Sequence, residues 1–77
     1  MLRYADAQAR RGNQAEALRL YKTALSRSEQ HWQCAAIIGI SKLGTAEAAT
    51  EIFPKLKSSD PIVRITARKA WESMARS

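Results

Sequence analysis

"WQCAAIIGISKLGTAEAATEIFPKLKSSDPIVRITARKAW", residues 32–71, decides the fold. Trp32, Ala35, Ala36, Ile37, Ile38, Ile40 and Leu43 leave the first third with little polar face, as in a helix covered on more than one side. Gly44 ends that helix, and Thr45 caps the next, with Glu47 in its first turn facing the positive helix end. The periodicity then predicts a helix over 46–57 that buries Ala49, Ile52, Phe53 and Leu56, kinked where Pro54 removes a backbone donor. Glu51 and Lys55 form an i, i+4 pair on its exposed side. Asp60 and Pro61 are an N-cap and a first helical residue, and they open a last helix that buries Val63, Ala67, Ala70, Trp71 and Met74.

The residues upstream read the same way. A short Ala/Arg-rich helix over about 2–11 sets Leu2, Ala5 and Ala9 on one face, and Gly12-Asn13 stops it. From 14 to 27 the apolar residues Ala17, Leu18, Tyr21, Ala24 and Leu25 form one stripe. Ser28, Gln30 or a neighbour opens the third helix. No alternating run marks a strand, and three glycines and two prolines leave long stretches free for helix. The expected fold is all-α, with five short helices joined by tight turns.

Shifting the chain by 31 residues lays the third helix on the fifth: Trp32 meets Val63, Ala36 meets Ala67, Ile40 meets Trp71 and Leu43 meets Met74. That period suits one helical hairpin, a unit too small to bury its apolar face without a stacked neighbour. On Leu43-Gly44, Glu47-Ala48, Ile52, Leu56, Asp60-Pro61, Val63-Arg64, Ala67 and Trp71, the stretch resembles the short HEAT-like repeats, including those named after phycobilisome lyases. Residues 1–27, with Ala5, Gly12, Ala17, Leu18, Tyr21 and Ala24, are similar to a tetratricopeptide hairpin. Both resemblances imply a right-handed α-α superhelix. The expected division is a tetratricopeptide-like hairpin at 1–27, a HEAT-like hairpin at 28–57, and at 58–77 the first helix of a further repeat in a longer solenoid. Two positions depart from the HEAT-like pattern: Pro54 lies late in the second helix, and Gln33 stands where the next unit has Arg64.

Arg64 sits beside a core stripe. Its head can reach loop carboxylates or carbonyls; the resemblance implies a structural arginine bonded to the turn of an adjacent repeat, and Asp60 is the natural local partner. The alternative is an anion site of Lys55, Lys57, Arg64 and Arg68. A net charge of +6, from 13 Lys and Arg against 7 Asp and Glu, suits acidic partners, nucleic acid among them, and also suits an ordinary solvated surface. Arg3, Arg10 and Arg11 are a second basic group at the start of the chain.

Catalytic chemistry has little to work with. His31 and Cys34 are spaced to share a helix face, but a zinc site needs more ligands and a nucleophile pair needs an orienting group. Glu47 and Glu51 read as a solvated face, and "RRGNQ" and "KLGTA" carry too few glycines for a phosphate loop. Ser58 and Ser59 suit phosphorylation as well as a helix start. One cysteine makes no internal disulfide, and the longest apolar run, "CAAIIGI", is too short to span a bilayer, so the expected setting is cytoplasmic and without a membrane. The expected function is non-catalytic and without cofactor or metal: docking of a protein or peptide in the groove of the second helices, through Glu16, Arg19, Lys22, Thr23, Glu47, Thr50, Glu51 and Lys55. Nucleic-acid binding and service as a repeat appendage of a larger enzyme such as a lyase are the alternatives. Ile62 and Ile65 are expected on an uncovered side of the last helix, open to self-association.

Overall fold

The computed structural model describes residues 2–76, and these form five α-helices with no strand among them. Met1 and Ser77, the outer limits of the expected first and third units, lie outside the described residues. Helix α1 is Arg3–Arg10, α2 is Gln14–Leu25, α3 is Gln30–Leu43, α4 is Ala46–Ile52 and α5 is Pro61–Arg76. Helix α3 is the centre of the packing, lying against α2, α4 and α5, while α1 packs on α2. The Cα atoms fill a slab of 33 × 27 × 15 Å. Its thin dimension matches two layers of helices whose axes lie 8–10 Å apart.

Each turn has an identifiable chemical cause. After α1, Gly12 adopts φ 86°, its N–H donates to the Ala9 carbonyl at 3.1 Å, and Asn13 N–H reaches the Gln8 carbonyl at 2.9 Å. That is the Schellman pattern, which satisfies carbonyls the helix end leaves open. The Asn13 amide also donates to the buried Gln8 side chain at 2.7 Å, so the one buried polar side chain among the described residues is paired. Gly44, at φ 67°, stops α3. Thr45 then accepts the Ala48 N–H at 3.1 Å and starts α4.

The fourth helix differs from the sequence expectation. The α-helix stops at Ile52, and Phe53–Lys57 continue as a 3-10 segment. Pro54 has no N–H to continue the ladder, and the tighter winding satisfies the chain end instead. Two further expectations fail with it. Phe53 is 52% exposed, turned out of the core with its ring 5.5 Å from that of Trp71. Lys55 no longer sits one α-turn from Glu51, whose carboxylate meets Lys22 of α2 at 3.6 Å instead.

Half of the buried apolar residues are alanines: Ala5, Ala17, Ala24, Ala36, Ala48, Ala67 and Ala70. Small side chains let helix axes approach, and the large residues Tyr21, Ile37, Ile40, Ile52 and Val63 fill the space between. Burial follows the 31-residue period at several positions among the described residues, the first hairpin included. Ala5, Ala36 and Ala67 are equivalent and are all buried, as are Gln8, Gly39 and Ala70. In the second helices Ala17 matches Ala48 and Tyr21 matches Ile52, every one of them buried. The first hairpin therefore shares one burial register with the rest of the chain. The large apolar residues exposed among those described are Tyr4, Ile38, Phe53, Ile62 and Ile65. Ile38 shows that α3 is not covered all round.

Candidate functional site: the cleft between the second helices

Helices α2 and α4 stand apart, and the space between them is a cleft of about 480 Å³. Its lining is Ala15, Leu18, Arg19, Lys22, Thr23, Ser26 and Glu47. A smaller hollow of about 240 Å³ continues it past Gln14, Leu43 and Thr45. Leu18, Arg19 and Lys22 come together because i, i+1 and i+4 share one side of α2, and Glu47 reaches the same space from the first turn of α4.

Of the eight residues expected to contact a partner, Arg19, Lys22, Thr23 and Glu47 line this cleft. Glu16 stands behind it, holding the Arg19 guanidinium through two bonds of 2.7 and 2.8 Å. That fork lowers the Glu16 pKa and raises that of Arg19. Glu51, outside the lining, spans to Lys22 at 3.6 Å. Thr23 and Thr50 spend their hydroxyls on the carbonyls of Arg19 and Ala46, at 3.1 and 3.0 Å, which leaves their methyls to the surface. Thr50 and Lys55 are not among the lining residues. Glu47 makes no ion pair among the described residues, so it stays available to a partner's cation.

In the last turn Arg64 reaches a turn carbonyl, one of the two kinds of partner expected for it, and the Asp60–Arg64 pair does not form. Arg64 donates from Nη1 to the Ser58 carbonyl at 3.0 Å. Asp60 instead accepts both bonds from the Gln30 amide, at 2.9 and 3.0 Å, and caps α5 through the Ile62 N–H at 2.9 Å. The Gln30 bond is the main reason its pKa is lowered, with the cap N–H groups next after burial is set against them. Gln30 opens α3, so this contact ties the starts of two successive first helices. The residue one period before Arg64 is Gln33, and its amide donates at 2.7 Å to the carbonyl of Arg27, one period before Ser58. The same strut thus occurs twice, with different side chains.

Lys55, Lys57 and Arg68, the other members of the anticipated anion site, have no acidic partner among the described residues. Arg64 donates instead to the Ser58 carbonyl. His31 and Cys34 point to different neighbours: the imidazole lies 5.8 Å from the Trp32 ring, and the Cys34 sulfur accepts from Thr66 Oγ1 of α5 at 3.5 Å. No group of three His, Cys, Asp or Glu residues among those described is placed to hold a metal ion. No helix among them is long and apolar enough to cross a membrane.

Residues that sequence reasoning passed over are Gly39 and Asp6. The Tyr21 ring lies directly on Gly39, where a Cβ would come 2.3 Å from Cε1, and its hydroxyl donates to the Asp6 carboxylate. Burial and the Asp6 bond both raise the Tyr21 pKa. Gly39 sits mid-helix in an apolar run, and that was the available signal, since such a glycine marks a close approach. Trp32 was expected in the core and is only half-buried, with the Arg27 guanidinium 4.9 Å from its ring centre.

No protein-family profile, no curated protein and no solved structure matches this chain significantly.

Proposed function

We propose that this chain is a non-catalytic docking module of HEAT-like helical repeats, arranged as a right-handed solenoid, that holds a protein segment in the cleft between α2 and α4. The observation that carries the reading is the cleft itself. It has an apolar floor at Leu18 between cations at Arg19 and Lys22 on one wall and the unpaired Glu47 on the other. A partner segment suited to it carries an apolar residue flanked by an acid on one side and a base on the other. The exposed ion pairs rearrange readily, because surface pairs are screened by solvent and salt.

The test is selection from a displayed random peptide library, followed by amide chemical-shift mapping of the winners. Peptides of that composition should perturb Leu18, Lys22 and Glu47, and Leu18→Glu should abolish their binding. Selected peptides that map elsewhere would overturn the reading. So would tighter binding to a short DNA duplex with a steep fall between low and physiological salt, the signature of a backbone-led nucleic-acid contact.

A further inference from the structure

A second cavity shares no lining residue with that cleft. It opens between α1 and α3, with Tyr21 of α2 as its floor, and holds about 290 Å³. Its lining is Asp6, Ala9, Arg10, Tyr21, Gly39 and Lys42. A hollow of about 260 Å³ shares Asp6, Gly39 and Lys42 with it and continues to Leu2, Ala35 and Ile38. One period on, the places of the first six hold Ile37, Ile40, Ser41, Ile52, Ala70 and Ser73, and the three isoleucines there are wholly buried. Helix α3 accordingly packs on α5, whereas α1 packs on α2 and not comparably on α3. Tyr21 is the physical cause. Its ring is longer than the Ile52 side chain at the equivalent position, lies on Gly39 and carries its hydroxyl to Asp6. It therefore stands as a wedge between two helices of this chain, and the space beside it stays open.

The opening has two chemically different ends. Arg10 and Lys42 meet there from separate helices, and neither has an acidic partner among the described residues. One carboxylate, Asp6, lies in the lining, with one oxygen taken by the Tyr21 hydroxyl. Two cations against one anion leave a single positive charge unmatched. The continuing hollow is apolar at Leu2, Ala35 and Ile38, and Ile38 is 48% exposed. We infer that this opening binds a small monocarboxylate with an apolar tail. The carboxylate sits between the Arg10 guanidinium and the Lys42 ammonium, whose hydrogen bonds to an anion are stronger than those between neutral groups. The tail runs past Ala35 toward Ile38 and Leu2, and taking that apolar surface out of water adds to affinity. Asp6 sets the charge limit, because a dianionic head such as a phosphate brings a second negative charge toward it. An apolar wall with a few convergent polar groups is the usual make-up of a small-molecule site.

The probe is sodium octanoate, titrated into the intact 77-residue chain and followed by amide and methyl chemical shifts. The Gly39 and Lys42 amides and the Ile38 methyls should shift saturably. Arg10→Gln and Lys42→Gln change exposed side chains and should each weaken binding about tenfold or more, with unchanged melting of the protein. Ile38→Gln, also at an exposed position, should weaken it through the tail. Octyl phosphate in its dianionic form should bind less tightly than octanoate, and octylammonium should not bind. The inference is overturned if Ile38 and Gly39 do not respond at millimolar octanoate, or if the shifts fall on Leu18 and Glu47. It is equally overturned if octylammonium or octyl phosphate binds as tightly as octanoate, or if the variants at 10 and 42 both bind like the parent. Because the readouts lie on α3, its failure is distinguishable from failure of the α2–α4 cleft.

Discussion

The contact of Tyr21 with Gly39 shows how a single residue sets the spacing of two helices. Glycine inside a helix costs about 1 kcal/mol relative to alanine, so propensity alone makes Gly39→Ala stabilising. The structure reverses that sign. A Cβ at 39 would stand 2.3 Å from a ring that is buried and tethered to Asp6, and overpacking of this kind costs about 1–3 kcal/mol. Gly39→Ala is expected to lower stability in urea denaturation despite the gain in helix propensity. Tyr21→Leu should relieve part of that loss, so the double variant should lose less than the two single variants summed. A stabilised Gly39→Ala protein would show that the ring moves freely. Sequence reading placed Tyr21 correctly in the core, but the identity of its neighbour depends on how α3 crosses α2.

Among the elements, the repeated strut matters most. Arg64 to the Ser58 carbonyl and Gln33 to the Arg27 carbonyl fix the angle at which each first helix leaves its preceding turn. A carbonyl near a helix start needs only a donor at the right reach, and a guanidinium and an amide both supply one. That explains why Gln33 can stand in the arginine position. Gln33→Ala and Arg64→Ala are each expected to lower stability by about 1 kcal/mol, the usual worth of one such bond, while Gln33→Arg should be tolerated. Thermal melts of the three variants check this; equal melting of both alanine variants and the parent would show that water replaces the struts. The legibility of α4 was partial for a related reason. Its N-cap at Thr45 could be read locally, whereas its conversion to 3-10 after Ile52 depends on Pro54 acting together with the contact of Phe53–Lys57 on α5.

At the level of the whole molecule, Tyr21 links three helices: it belongs to α2, bonds to Asp6 of α1 and lies on Gly39 of α3. Its raised pKa gives the assembly a pH dependence of definite sign. The folded state prefers the protonated phenol, so its contribution is fully present below the unfolded tyrosine value near 10 and is lost as pH rises beyond it. Stability should fall above about pH 10 with a slope of up to about 1.4 kcal/mol per pH unit from this group, and Tyr21→Phe should remove that component. Urea midpoints between pH 9 and 11 measure it. Identical pH profiles for the parent and the variant would refute the role given to Tyr21.

The sequence by itself determined the five helices, their glycine and Asp-Pro boundaries, and a 31-residue period, because caps, turns and 3.6-residue spacing act within a few residues of chain. It also placed Arg19, Lys22, Thr23 and Glu47 on the faces that meet in the cleft. Tertiary structure decided the partners. Asp60 took Gln30 in place of Arg64, Glu51 took Lys22 in place of Lys55, and Phe53 turned outward. Each of those outcomes depends on a helix distant in sequence, or on a local change of winding, that brings one donor nearer than another. The opening residue of the last helix illustrates the division: Asp60 as a cap follows from its own chain, but its hold on Gln30 exists only because α3 and α5 lie side by side.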